Sequence, residues 1–290
     1  MFGVGVTLLF GILNGFGYAM LLFLLSSGLT VVFGMLGVLN IAHASFYMLG
    51  AYFAYSVVQS TGSFWWGLLA APVAVGVLGV LTERTLLRRA HRLGHGHELL
   101  LTFGLAYIIL ELVKWIWGTG SHPVSAPAVL DGSIRLVGGA YPAYRLFVCV
   151  FGLGVLVGLA LLLFKTRLGM IVRAAVSDID MVNALGFNVR GLFVGVFGIG
   201  AFLAGLAGVI AAPLLSVYPG MGPDMLVDTF IVVVVGGLGS LKGALIASFL
   251  LGGLQSFGVV IVPRLAMIFS FLLMTVVLIW RPMGLFGERA

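Results

Sequence analysis

Two polar side chains interrupt an apolar stretch near the start of the chain. Asn40 and His43 lie in the segment Thr30 to Tyr52, which carries no charged residue. An amide and an imidazole three residues apart could line a pathway for a polar solute, or could join helices through hydrogen bonds. A metal site is disfavoured, because no cysteine, carboxylate or second histidine stands at ligand spacing. A pathway role and a packing role both stay open, and a helix break here would favour a gate.

A second interruption, VVGGLGSLKG, occupies Val234 to Gly243. Glycine weakens a helix interior, so glycine clusters inside long apolar runs predict helix breaks. A gapless alignment that sets Gly34 on Gly236 also sets Gly37 on Gly239, which suggests an internal repeat of the kind found in transporters. The residues predicted to form the breaks and line the translocation path are Gly34, Gly37, Asn40, His43, Gly236, Gly237, Gly239, Ser240 and Lys242.

One acidic residue, Glu111, is placed well inside a clear apolar run, three residues before Lys114. Residues at this spacing share a helix face, so the two side chains could form an ion pair. Alternatively, Glu111 could face the pathway and meet a charged substrate. We favour the ion pair and keep Glu111 as a candidate pathway charge.

The composition places these residues in a membrane. The chain has 290 residues, of which 61% are hydrophobic and only 8% are charged, whereas soluble domains carry about 25% charged residues. Several apolar runs exceed the ~18 residues that span a bilayer. We therefore predict an all-α polytopic membrane protein with about eight transmembrane helices plus a broken or re-entrant element. Residues 1–290 would form a single transmembrane domain.

Charged loops predict the orientation. Basic residues concentrate in the segments 83–98 and 165–190, which should therefore be cytoplasmic, while 118–142 should be external. The N-terminus is then outside and the C-terminus cytoplasmic. The net charge of +6 is explained by these loops, and nothing indicates nucleic-acid binding. The histidines of the first loop are interpreted as solvated: His91, His95 and His97.

The segment 166–189 is too polar to span the membrane, yet its apolar residues recur at spacings of three and four. This pattern predicts an amphipathic helix, with Gly186 as its stop. Aspartates on the polar face argue against a helix lying on lipid, and favour docking on a cytoplasmic partner. The residues predicted for this role are Arg173, Ala174, Ala175, Asp178, Asp180, Met181, Asn183, Leu185 and Gly186.

Motifs along nearly the whole chain resemble the permease subunits of branched-chain amino-acid ATP-binding-cassette (ABC) importers, most closely the shorter, LivH-type subunit. The matching stretches are GLTVVFGMLGVLNIAHASFYMLGAY (28–52), the Arg-Ala-Ala to Asn-Val pattern (173–189), GVFGIGAFLAGLAGVIAAP (195–213), VVVVGGLGSLKGALIASFLLG (232–252) and RPMGLFGE (281–288).

The resemblance implies a multi-pass protein of the cell inner (plasma) membrane that moves branched-chain or related amino acids by alternating access. It also implies a homologous second permease (LivM-type), two cytoplasmic ATPases that bind ATP and magnesium, and an extracytoplasmic binding protein. The cytoplasmic coupling helix of the family maps onto about 173–185. The chain itself would be neither an enzyme nor a cofactor protein, and GGLGSLKG lacks the spacing of a phosphate-binding loop.

Two alternatives stay open at the level of sequence. A permease of the same family could carry urea or amides instead of amino acids. An ion-coupled secondary transporter would need several intramembrane charges as coupling sites, and a membrane enzyme would need a catalytic cluster at a membrane face. We see no convincing cluster of either kind in the sequence.

Overall fold

A computed structural model describes residues 2–37, 39–91, 93–136, 139–263 and 266–287. A π-helical turn, Glu83–Leu87, follows α3, and an antiparallel hairpin of β1 (Ser133–Leu136) and β2 (Gly139–Pro142) precedes α6. The α-helices are α1 (Phe2–Leu36), α2 (His43–Thr61), α3 (Phe64–Thr82), α4 (Arg88–Ala90), α5 (His95–Trp117), α6 (Ala143–Lys165), α7 (Arg167–Ser177), α8 (Ile179–Ala184), α9 (Val189–Leu215), α10 (Met221–Gly236), α11 (Leu241–Ile261) and α12 (Ala266–Trp280).

The described helices confirm a polytopic all-α architecture. Six are long and apolar enough to cross a membrane: α1, α3 with its continuation to Ala90, α5, α6, α9 and α11. The 19-residue α2 and the shorter apolar α12 accompany them. With these two, the helices agree with the eight spans predicted from the sequence, and the 16-residue α10 is the short element.

The chain turns back into the bundle between α1 and α2. His43, the first residue of α2, donates from Nε2 to the carbonyl oxygen of Leu25 at 2.9 Å. The helix α1 continues for eleven residues beyond Leu25, which is about 16 Å of axis. The non-helical segment between Leu36 and His43 must therefore run back along α1. The amide of Ile41 in this segment lies 3.4 Å from the hydroxyl oxygen of Thr102 on α5.

Close glycine contacts hold the central helices together. Gly50 of α2 lies against the backbone of Gly205 of α9, and Gly208 lies against the carbonyl of Tyr47. In the same way, Gly252 of α11 meets the carbonyl of Gly15 on α1. Helices in a membrane gain little from hydrophobic burial and associate through such tight packing. The central α9 accordingly packs on α1, α2 and α3.

The end of α10 is closed by the C-terminal segment. Leu285 donates its amide to the carbonyl of Val235 at 2.8 Å, and Phe286 donates to Gly236 at 3.0 Å. Carbonyls at a helix end have no partner within the helix, and none is offered by lipid. The residues after α12 therefore satisfy carbonyls that the helix break after α10 leaves without partners.

Candidate translocation and coupling site

The two predicted breaks meet in space. A methyl group added to Gly239 would lie 3.1 Å from the Cα of Gly34, so the backbones of the two segments touch with no side chain between them. Gly37 and Gly239, which the sequence alignment pairs, both have positive φ, at 69° and 83°. This left-handed conformation is open to glycine at little cost. The shared geometry agrees with the proposed repeat, which itself stays a prediction.

The breaks are narrower than the glycine pattern predicts. Gly34 lies inside α1, Gly236 is the last residue of α10, and Lys242 lies inside α11. The helices end instead at Gly37 and Gly237, because these glycines take positive φ whereas Gly34 and Gly236 keep helical geometry.

Ser240 begins α11 by a hydrogen bond. Its hydroxyl oxygen accepts from the amide of Gly243 at 3.2 Å, which satisfies one of the free donors of the first turn. The neighbouring Lys242 is exposed, whereas Asn40, its partner in the sequence alignment, is buried. The two polar residues therefore occupy different environments and do not act as a matched pair.

Asn40 and His43 do not share a helix face, because Asn40 lies in the non-helical segment and α2 begins at His43. Both side chains are buried, and the imidazole also lies against Gly28 of α1. The hydrogen bond to Leu25 gives His43 a packing role. Neither amide atom of Asn40 has a hydrogen-bond partner among the described residues. A buried amide without hydrogen-bond partners is costly, and both polar atoms of this one are closed off from the surface.

The end of α7 approaches the meeting point of the breaks. A methyl group added to Gly34 would lie 3.8 Å from Cγ2 of Val176, near the end of α7. On its other side the same methyl group would lie 3.4 Å from the Cα of Gly239. The three segments α1, α7 and the α10–α11 turn are therefore in contact at one point. A displacement of α7 would reach both breaks directly.

The single amphipathic helix predicted over 173–185 is wrong in one respect. The segment forms two helices, α7 and α8, which are separated at Asp178 in extended geometry, with φ of −155° and ψ of 98°. The carboxylate of Asp178 accepts from the amide of Met181 at 2.8 Å and so starts α8. Asp178 is thus a helix cap rather than a residue of a continuous polar face. Gly186 follows with φ of 85°, as expected for a helix stop.

The α7–α8 segment exposes large apolar side chains. Val176, Met181, Leu185 and Phe187 are exposed by 48%, 57%, 67% and 46%. Ala175, in contrast, is buried against the bundle. The remaining predicted coupling residues are all exposed: Arg173, Ala174, Asp178, Asp180, Asn183 and Gly186. An apolar surface rimmed by acidic and amide groups suits a protein partner.

Arg173 is held at the end of α6. Its guanidinium carbon lies 5.0 Å from the centroid of the Phe164 ring, in the range of a cation–π contact. This contact links α7 to α6, so α7 is tied to the membrane helices while its apolar side stays open.

Glu111 forms the ion pair that its spacing suggested. Its carboxylate lies 2.7 Å from Nζ of Lys114, and 65% of the Glu111 side chain is exposed. The pair lies on α5, little of which is buried in the bundle. Glu111 therefore points away from the other described helices, so a pathway role for it would need a surface completed by another subunit.

His91 contradicts the interpretation of its loop as solvated. Its two ring nitrogens donate to Glu83 at 2.9 Å and to Glu98 at 2.7 Å, and both carboxylates are buried. Burial alone would lower the pKa of His91, but the two hydrogen-bonded carboxylates raise it to about 9. The cation joins the π-turn after α3 to the start of α5. Spacings of eight and seven residues across a turn gave no pattern that could reveal this cluster.

A further charged residue, Asp228, lies inside α10 and was missed. It accepts a hydrogen bond from the hydroxyl of Tyr18 on α1 at 2.5 Å. Asp228 belongs to the short α10 rather than to one of the six long spans. Its presence was visible in the sequence, four residues after Asp224 and just before the apolar residues that lead to Val234.

Comparison with known proteins agrees with this architecture. Residues 11–278 match the family model described as "Branched-chain amino acid transport system / permease component". The chain is 29% identical to the high-affinity branched-chain amino acid transport system permease protein BraD of Pseudomonas aeruginosa, over 96% of this chain and 95% of that protein. It is 26% identical to LivH of Escherichia coli K12, over 96% and 94% of the two chains.

The fold also resembles a solved structure, PsaBC from Streptococcus pneumoniae in complex with Fab. The TM-score is 0.52, at 11% sequence identity and over 91% of this chain and 90% of that one. At this identity the likeness concerns the fold alone. The family match covers most of the chain and includes the two glycine breaks and the α7–α8 segment. The chain belongs to the branched-chain amino acid transport permease family.

Proposed function

We propose that this chain forms one half of the membrane pathway of an ABC importer for branched-chain or related aliphatic amino acids. The relatives named above are permease proteins of branched-chain amino acid transport systems, which supports this class of substrate. The observation that carries the mechanism is the contact of Val176, Gly34 and Gly239. It connects the exposed α7–α8 surface to both helix breaks within one layer of packing.

The mechanism follows from these contacts. Cytoplasmic ATPases bind the exposed apolar residues of α7 and α8, and their ATP-driven closure displaces α7. Because Val176 packs on Gly34, the end of α1 moves with it, and Gly239 transmits the motion to the α10–α11 turn. The segment carrying Asn40 then changes its position between α1 and α5. This is alternating access, in which ATP binding favours one arrangement and hydrolysis restores the other.

The proposed assembly contains a homologous second permease, two ATPases with ATP and magnesium, and an extracytoplasmic binding protein. The weak burial of α5 and α6 supports a larger assembly, since only 17% and 28% of their most apolar windows are buried within the chain. These faces are available to the second permease or to lipid.

Leu185→Glu tests the coupling surface. A charge in a buried apolar contact would prevent docking, so co-purification of the ATPases and ATP-driven leucine uptake should both be lost. Leu93→Glu is the matched control, because Leu93 is exposed by 64% in the other loop predicted to be cytoplasmic. It should leave assembly and uptake unchanged. Wild-type assembly and uptake with Leu185→Glu would show that α8 is not the docking element.

A further inference from the structure

A cavity whose lining is mostly apolar, with a few polar side chains, lies at the opposite end of the bundle from α7 and α8. It has a volume of about 600 Å³ and opens between α1, α6 and α11. A second cavity of about 150 Å³ adjoins it toward β2 and the end of α9. Both are lined by Asn14, Tyr18 and Arg145. In the predicted orientation these three side chains belong to the outer half of the membrane.

The lining carries a cation at one side. Arg145, in the first turn of α6, is exposed and donates from one guanidinium nitrogen to the side-chain oxygen of Asn14 at 2.5 Å. Tyr141 donates to the same oxygen at 2.9 Å. No carboxylate of the described residues pairs with Arg145. Its remaining guanidinium donors are therefore available to an anionic group in the cavity.

The lining leads to an anion at the other side. Tyr18 follows Asn14 by four residues, so the two side chains lie one above the other on one face of α1. The Tyr18 hydroxyl donates to the carboxylate of Asp228 on α10. Asp228 is not among the residues that line either cavity, so its charge reaches the cavity wall through the hydroxyl of Tyr18.

The arrangement keeps opposite charges apart with neutral groups between them. A structural ion pair would place the guanidinium on the carboxylate, because a charge taken out of water needs its partner close by. Here Asn14 and Tyr18, one helical turn apart, lie between Arg145 and Asp228. A ligand that carries an anionic group and a cationic group on one carbon atom would offer an opposite charge to each side.

We propose that this cavity binds the zwitterionic head of an α-amino acid on its way into the pathway. The α-carboxylate would lie on Arg145, and the α-ammonium would lie toward Tyr18 and Asp228. The apolar side chain of the ligand would lie against the aliphatic wall formed by Val259 and Val260 of α11. The proposal rests on the function proposed above and assigns the step that recognises the charges common to all such substrates.

Leucine uptake by the complete importer in proteoliposomes tests the proposal, with the binding protein outside and ATP inside. Arg145→Gln and Asp228→Asn should each lower uptake at low leucine concentration by about tenfold or more, the scale for losing one hydrogen bond to a charged group. Binding-protein-stimulated ATP hydrolysis should persist, because neither residue contacts α7 or α8. Arg145→Lys, which keeps the cation, should recover part of the uptake.

Arg135→Gln and Asp131→Asn are the matched controls, since both residues are exposed on the external side near β1 and line neither cavity. They should transport as the wild type does. Uptake within about twofold of wild type for Arg145→Gln and Asp228→Asn would overturn the cavity proposal while leaving the proposed function standing. A wild-type complex that takes up no leucine would instead overturn the proposed function.

Ligand-induced thermal stabilisation of the purified complex separates binding from folding. Leucine should raise the unfolding temperature of the wild type, and isoamylamine and 4-methylpentanoate, which each lack one charge, should raise it less. Arg145→Gln should abolish the preference for leucine over isoamylamine. Equal shifts of the wild-type unfolding temperature with all three compounds would show that the cavity does not recognise both charges of the zwitterion.

Discussion

At the scale of single residues, a buried polar side chain without a hydrogen-bond partner differs from one that a hydrogen bond holds in place. Asn40 is buried with both amide atoms unpaired among the described residues, whereas His43 uses its Nε2 in a hydrogen bond to α1. An unsatisfied amide costs roughly 1–3 kcal/mol. The two residues were equivalent in the sequence, and only their hydrogen-bond partners in the structure distinguish them.

Asn40→Leu should therefore stabilise the permease or leave its stability unchanged, and yet lower leucine uptake by about tenfold. The reason is that a leucine side chain branches at the same position as asparagine but carries no unpaired amide, and so also lacks the group proposed to contact water or solute. Thermal unfolding and uptake of the same preparation measure the two effects. Tyr52→Phe is the control, because it removes a buried unpaired hydroxyl away from the breaks, and its uptake should match wild type. A loss of stability with Asn40→Leu would indicate a packing role.

The His91 cluster predicts a pH dependence of stability. The pKa of His91 is raised to about 9 from an ordinary value near 6.5. A raised pKa stabilises the folded state fully below the unfolded value, and that contribution is lost as pH rises through about 9. The unfolding temperature of the wild type should therefore fall between pH 7 and pH 10 more than that of His91→Gln.

His91→Gln should also be less stable than wild type at pH 7, because it leaves Glu83 and Glu98 buried without their cation. Removing one partner of a buried ion pair costs about 3–5 kcal/mol. His95→Gln, an exposed neighbour at the start of α5, is the control and should be neutral. Parallel pH profiles for wild type and His91→Gln would show that the cluster is not charged as described.

At this scale the sequence revealed types of residues but not their partners. Asn40 was recognisable because an amide is rare in an apolar run. His91, Tyr18 and Asp228 were missed as a group, because their partners come from other helices and the pairing depends on how those helices pack. A pattern within one segment cannot encode a contact between residues 210 positions apart, as for Tyr18 and Asp228.

At the scale of helices, the effect of a glycine's positive φ can be separated from the effect of its close contacts. Gly239 has both positive φ and a close contact with Gly34, whereas Gly62 has positive φ and nothing within 4 Å of an added methyl group. Gly239→Ala and Gly62→Ala should both lose about 1 kcal/mol of stability, since an L-residue is strained in this conformation. Only Gly239→Ala should uncouple ATP hydrolysis from uptake, because only its added methyl group would push the two helix breaks apart.

The ratio of leucine transported to ATP hydrolysed measures this coupling directly. Gly34→Ala should have a smaller effect than Gly239→Ala, because its added methyl group would meet Gly239 at 3.4 Å, an ordinary contact, in helical geometry. Equal transport ratios for the Gly239 and Gly62 variants would remove the contact from the mechanism.

Elements with a local signal were predictable, and their ends were not. Glycine clusters placed both breaks, since they weaken a helix wherever they occur. The joint at Asp178 was hidden because α8 continues the apolar spacing of α7, so periodicity alone runs through it. Only the hydrogen bond from Met181 to Asp178 separates two helices from one.

At the scale of the whole molecule, the charged loops predict which side of the membrane each loop faces. Leu93→Cys, in the loop predicted to be cytoplasmic, and Asp131→Cys, beside β1, test it in intact cells with a membrane-impermeant maleimide. Asp131→Cys should react at once, and Leu93→Cys only after permeabilisation. The native Cys149 is buried, so unmodified protein should stay unlabelled and serves as the control. If only Leu93→Cys is labelled in intact cells, the predicted orientation is reversed.

The overall architecture followed from hydropathy because lipid admits few solutions. Every backbone group must find a partner inside the membrane, so long apolar runs become helices. Hydropathy did not reveal that the chain between α1 and α2 returns alongside α1, because a returning segment and a simple loop have the same composition. The site depends on that return, which places Asn40 within the bundle.

The C-terminal cap on α10 has a consequence for biosynthesis. Carbonyls of Val235 and Gly236 bond to the amides of Leu285 and Phe286, which leave the ribosome about 50 residues later. Until then these carbonyls have no native partner in the growing chain. The end of α10 is thus completed only after α11 and α12 have been synthesised. A nascent chain stopped before Leu285 would leave both carbonyls without the partners that they have in the folded protein.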